Sequence, residues 1–301
     1  VSRVDIRWNL FSGFKGEGLL LYFTEFRGEL RANISHNVFT DLQQVGVIQF
    51  SLEEATYLRI LENNFTDSTL SQSLLRIYIL TAQSKVQVFG NIIMNVTLVT
   101  SEAVDLPTNL FAIKLCAVGN LVNPAVIIKN NTITNISMQL SREYAEDTAF
   151  ISVSSSLTWV TFYNNTLSGI NISPRDPLIN IIGLSIDLTN NNFENLDCTG
   201  VFGAVILISL NTYIAENSFL MISNRLESEG FLRIFPALSS DANSIAKVEV
   251  VSNNFKSIFS QSGSILLLQN ALSALNFDSN IFIDCYVRGK SSILFFSSVQ
   301  F

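Results

Sequence analysis

General acid–base catalysis needs two carboxylates, or a carboxylate and a histidine, held within reach of one bond. The aspartates of this chain are not grouped in that way. Asp5, Asp41, Asp67, Asp105, Asp147, Asp176, Asp187, Asp197, Asp241, Asp278 and Asp284 are scattered over 301 residues, and no Asp-Asp pair occurs. The one histidine, His36, precedes an asparagine in a stretch that reads as an outward turn. Asp41, Asp67 and Asp284 each lie four residues after a recurring asparagine, a spacing that could stack carboxylate oxygens around Ca²⁺. Asn95, Asn135, Gly169, Asn195, Met221 and Ser257 hold the intervening places and break that row. Cys116, Cys198 and Cys285 are too few and too spread for a zinc cluster and read as buried free thiols, with one disulfide between neighbouring coils as the alternative. The acidic residues Glu143, Glu146 and Asp147, and Glu227 and Glu229, read as solvated loop charge. No catalytic, metal or cofactor site is expected, and the chain is not expected to be an enzyme.

Asparagine offers a different chemistry. N-x-S/T occurs at Asn33, Asn64, Asn95, Asn130, Asn135, Asn164 and Asn171, the acceptor pattern for N-linked glycans. All seven sites lie in the first 171 residues, so in a secreted protein the sugars would line one half of the molecule.

The elements that carry these residues repeat. VDIRWNLFSGF, RANISHNVFTDL, AVIIKNNTITNI and KVEVVSNNFKSI share the template Φ-x-Φ-x-x-N-x-Φ-x-x-Φ, where Φ is apolar. Its anchors are Asn9, Asn37, Asn63, Asn91, Asn131, Asn165, Asn191, Asn217, Asn253 and Asn280. Three residues before the anchor every copy is apolar, from Ile6 to Phe277, and two residues after it likewise, from Phe11 to Phe282. Four residues before it stand mostly polar residues such as Asp5, Arg59, Gln87, Asp187 and Glu249. That alternation is the two-residue period of a strand with one buried face. Between motifs lies a second apolar segment of strand type, such as GLLLYF, LLRIYIL and AVILISL.

One repeat cannot bury its own apolar face, but repeats stacked about 4.8 Å apart form a continuous sheet on each side. The reading is a single solenoid domain over 1–301 with about ten coils, some carrying inserted loops at 97–125, 138–150 and 224–244. The anchors are expected at tight bends, in the left-handed backbone conformation that Asn tolerates, with their side chains stacked as an Asn ladder.

AVIIKNNTITNIS and KVEVVSNNFKSI resemble the repeats of right-handed parallel β-helix proteins of the pectin-lyase-like superfamily. The resemblance covers nearly the whole chain and implies an all-β fold. It does not imply an activity, since that superfamily holds lyases, hydrolases, tailspikes, adhesins and non-catalytic surface proteins. Pectin-degrading members carry Asp clusters with Ca²⁺ and a basic Arg, or paired Asp residues. Those motifs, and G-H-G or R-x-K, are missing here. LSIDLTNNNF also resembles a leucine-rich repeat, the alternative solenoid. Against it, Ala55, Gln83, Asn123 and Gly183 stand where a further Leu is expected, and the intervening segments read as strand.

A net charge of -7 and a pI near 4.8 disfavour a nucleic-acid partner. No apolar run is long enough for a membrane-spanning helix. The sequence lacks an initiator Met and ends on an apolar stretch, and so reads as a piece of a longer chain. The expected role is an extracellular or cell-surface structural module, a glycosylated rod that associates with itself end to end. The alternatives are an adhesin or receptor module binding glycans or proteins, and, further behind, a polysaccharide lyase or hydrolase.

Overall fold

The computed structural model describes residues 1–24, 28–53, 56–80, 84–99, 109–115, 125–139, 149–154, 158–172, 177–198, 205–236, 246–269, 274–288 and 292–297. Among these, every regular element is a β-strand and every strand pairing is parallel. Cys116, Glu143, Glu146 and Asp147 lie outside the described residues, as does much of the inserted loops at 97–125 and 138–150; residues 224–236, expected as the start of a third loop, instead continue a strand over Ser218–Pro236 that is bulged where it meets its neighbour.

The first three repeats show the plan. Strands β1 (Ser2–Arg7), β2 (Leu10–Ser12) and β3 (Leu19–Thr24) make one coil. β4 (Leu30–Ser35), β5 (Val38–Thr40) and β6 (Gly46–Leu52) make the next, followed by β7 (Thr56–Leu61), β8 (Asn64–Leu70) and β9 (Leu75–Ile79). β1 pairs with β4 and β4 with β7, forming sheet A before the anchor Asn. β2, β5 and β8 form sheet B after it. β3, β6 and β9 form sheet C. The same ladders continue along the described chain, in register from one anchor Asn to the next. The molecule is a parallel β-solenoid. The segments that a leucine-rich repeat would use for its return are the strands of sheet C.

The template residues face inward as their period requires. Ile34, Ile60, Val88, Ile128, Phe162, Leu188, Ile214 and Val250 are buried before the anchor, and Phe39, Phe65, Ile93, Ile133, Leu167, Phe193, Phe219 and Phe255 after it. Because coils are one strand spacing apart, like residues meet. Phe39 stacks on Phe65 at 4.7 Å and Phe219 on Phe255 at 4.8 Å between ring centres.

The corner between sheets A and B is fastened by the anchors. Asn37 Nδ2 donates to Asn63 Oδ1 at 3.0 Å, and the Asn37 backbone N–H donates to the same oxygen at 3.0 Å. This pair of bonds recurs from Asn9 through Asn63, Asn91, Asn131, Asn165, Asn191, Asn217 and Asn253 to Asn280. The same amide donates to the carbonyl three residues before the anchor of the preceding coil, as Asn131 does to Val88 at 2.9 Å. Except for Asn9 and Asn280 the anchors are buried.

The left-handed backbone is not at the anchors themselves. It belongs to the residue before each one: Trp8, His36, Glu62, Gly90, Asn130, Asn164, Asn190, Glu216, Ser252 and Ser279, with φ between 52° and 64°. An anchor in that conformation would turn its amide out of the ladder, so its neighbour makes the bend. A second left-handed position falls four residues after the anchor, at Gly13, Asp41, Asp67, Asn95, Asn135, Gly169, Asn195, Met221, Ser257 and Asp284. It interrupts sheet B by one residue without breaking register, since Met94 and Val96 pair with Thr134 and Ile136 on either side of it.

Removing a mid-ladder amide deprives buried groups of the preceding coil of their partners. Asn131→Ala leaves the Asn91 N–H and Nδ2 and the Val88 carbonyl short of a partner. It should lower stability by about 2–4 kcal/mol, whereas exposed Asn9→Ala should cost under about 1 kcal/mol. Urea unfolding followed by circular dichroism checks both, and equal losses would contradict the ladder's energetic role.

Candidate functional site

Among the described residues, the outward face of sheet A carries a candidate contact surface. Two rows of side chains run along the rod axis. Arg59, Gln87, Ile127 and Thr161 are register partners four residues before their anchors. Leu61, Phe89, Lys129 and Tyr163 are partners two residues before. Between them lies a shallow groove of about 620 Å³. Alternation turns these residues outward because their neighbours, such as Ile60 and Ile128, are buried.

The chemistry of the groove is cationic and apolar. Arg59 Nε donates to Gln87 Oε1 at 3.2 Å, and the Arg59 guanidinium lies 5.3 Å from the centre of the Tyr57 ring. Lys85 Nζ is 5.8 Å from the centre of the same ring. Lys129 Nζ sits 4.9 Å from the Tyr163 ring. The Arg59 hydrogen bond, with the nearby Lys85 charge, holds the Tyr57 phenol below its usual pKa. Trp159, in the next strand position of the same face, is half exposed. Two carboxylates border this surface: Glu62, which follows Leu61 at the corner, and Asp187, in register with Thr161. Burial pushes the Asp187 carboxyl above the usual range, and a hydrogen bond with Thr189 opposes that only in part.

The acceptor asparagines fall on two kinds of position. Asn95, Asn135, Asn164 and Asn171 are exposed, whereas Asn33, Asn64 and Asn130 are half-buried. Asn95 Nδ2 donates to Asp67 Oδ1 at 2.9 Å and Asn135 Nδ2 to Asn95 Oδ1 at 3.3 Å, a short outer ladder on the second left-handed row. Asn164 donates to Asn130 Oδ1 at 3.0 Å on the first. The row of Asp41 and Asp67 is therefore shared with amides, and no group of metal-ligating side chains is found among the described residues. His36 is on the outside, stacked on Trp8 at 4.3 Å with its Nδ1 3.2 Å from Glu62 Oε2.

Cys198 is a buried free thiol pushed up to about 12 by its burial, and Cys285 is half-buried and raised by the same cause. The groove was not foreseen in the sequence. Its signal is an excess of Arg, Lys and aromatics at outward template positions of four consecutive copies.

Comparisons of the chain with models of known families, with curated proteins and with solved structures find no match. No helix among the described residues is long and apolar enough to cross a membrane.

Two outcomes follow from these environments. An acid whose folded pKa is raised loses stability as pH rises through that pKa, since the folded state must give up a proton that the unfolded state gives up more readily. Asp187→Asn should therefore melt at higher temperature than the parent at pH 7, with the difference closing as pH falls below the carboxyl's range. Thermal melts at pH 7 and pH 3 check the sign. In the native protein, iodoacetamide should label Cys285 ahead of Cys198, because only the thiolate reacts and Cys198 is enclosed. Peptide mass mapping reads the order.

Proposed function

We propose that this chain is a right-handed parallel β-helix of about ten coils, a non-catalytic relative of the pectin-lyase-like superfamily, serving as an extracellular or cell-surface structural module. Its work is mechanical: a stiff rod bearing N-linked glycans at some of Asn33, Asn64, Asn95, Asn130, Asn135, Asn164 and Asn171, with no cofactor and no catalytic step. The observation that supports this most is the unbroken amide ladder from Asn9 to Asn280, which fastens each coil to the next by side chain as well as backbone. Every coil presents the same backbone pattern to its two sides. A coil of one copy can pair with that of another, and end-to-end association into filaments follows from the same geometry.

A second reading, a recognition module for a glycan or protein, is favoured by the groove on sheet A and its outward aromatics. In that reading the rod is the support for the groove.

Mass measurement of the natively sourced protein before and after glycosidase treatment, with electron microscopy of the same sample, tests the structural role. Rods with a repeat near 4.8 Å along the axis and a mass loss on deglycosylation are expected. A sugar-free, globular particle would overturn it.

A further inference from the structure

The groove on sheet A sits in an acidic protein, yet the outward strand residues of its four coils include Arg59, Lys85 and Lys129 and no carboxylate; Glu62, at the corner after Leu61, faces His36 at 3.2 Å. Its floor is made by Leu61, Phe89 and Ile127. A sheet face offers no backbone donors or acceptors, because those are spent on the neighbouring coils, so any ligand here is read by side chains alone.

We infer that this groove docks an extended acidic peptide segment of a partner protein, with apolar side chains set between its carboxylates. The apolar floor receives the peptide's aliphatic or aromatic residues, and the cations at its borders receive the carboxylates. Three coil steps span about 14 Å, the length of four to five extended residues. A glycan fits the lining less well. Sugar carries a hydroxyl on most of its carbons, and each needs a polar partner on leaving water. Beyond the cations Arg59 and Lys129 and the Tyr163 hydroxyl, the groove offers Thr161 and Gln87, and the Gln87 oxygen already accepts from Arg59. Phe89 and Tyr163 offer rings to a pyranose, but aliphatic Leu61 and Ile127 do not, and they suit a peptide's apolar side chains better. At the far end Asp187, in register with Thr161, repels a further acid and sets where the segment stops. The inference does not depend on the rod's mechanical role, and each can fail without the other.

The test is fluorescence anisotropy of the natively sourced protein with a labelled dodecapeptide that alternates Glu with Leu and Phe. Saturable binding that weakens as salt is raised is expected. Lys129→Ala and Arg59→Ala should each weaken it roughly three- to tenfold, Lys129→Glu by more, and Lys247→Ala, on the same sheet outside the groove, should leave it unchanged. Circular dichroism shows that each variant keeps the strand signal. Absence of saturable binding would overturn the inference, as would equal affinity in the Lys129 variants. So would displacement of the peptide by an oligouronate at equal or lower concentration. Sedimentation showing that this face pairs two copies of the chain, with pairing lost in Lys129→Glu, would assign the groove to self-association instead.

Discussion

The corner between sheets A and B is where this fold would fail without help. A chain that turns sharply inside a solenoid leaves carbonyls and an N–H pointing into a space closed to water, and each unpaired group there costs on the order of 1–3 kcal/mol. An asparagine amide has both donors and an acceptor on one short stem. At Asn131 it donates to the Val88 carbonyl of the coil before, donates to Asn165 Oδ1 of the coil after, and accepts from Asn91. Asp could accept but not donate, and its charge would be buried. Gln has the right groups on a stem that reaches too far. The repetition of one residue type follows from that constraint, and the strand register of all three sheets follows from the ladder.

Given that register, packing and surface are both decided by rows. Each inward row is a column of like residues one strand spacing apart, which lets the Phe residues two places after the anchor stack face to face at either end of the rod while Ile93, Ile133 and Leu167 fill the middle. Each outward row is a column too, so a few chance-looking residues in separate repeats become one surface. Arg59, Lys85 and Lys129 are far apart in the sequence and lie in three successive coils. The rigidity of the ladder gives that surface a fixed spacing, and a scaffold of this kind can bind without rearranging.

The periodic template made most of the fold legible. The inward faces, the strand character of the intervening segments and the anchor positions all follow from a two-residue alternation around a repeated Asn. The bend was less legible. Six of the ten left-handed residues before the anchors, Trp8, His36, Glu62, Glu216, Ser252 and Ser279, are neither Asn nor Gly, so the usual sequence sign of that conformation is diluted. At the second left-handed row eight of ten positions are Asn, Asp or Gly, which is a readable signal for a kink within a strand.

By itself the sequence determined the buried half of the molecule, because burial acts on residue type at fixed spacing and leaves the same mark in every copy. It also determined the amide ladder, since a buried corner accepts almost no other side chain. Only the tertiary structure decided which exposed residues share a surface. Outward positions are free to vary from copy to copy, and stacking alone brings Arg59, Phe89, Lys129 and Tyr163 to one groove. Tertiary structure also decided that Asp187 is partly enclosed beside Thr161 while Asp67 stays exposed and bonded to Asn95, a difference of surroundings that two aspartates in a list do not show.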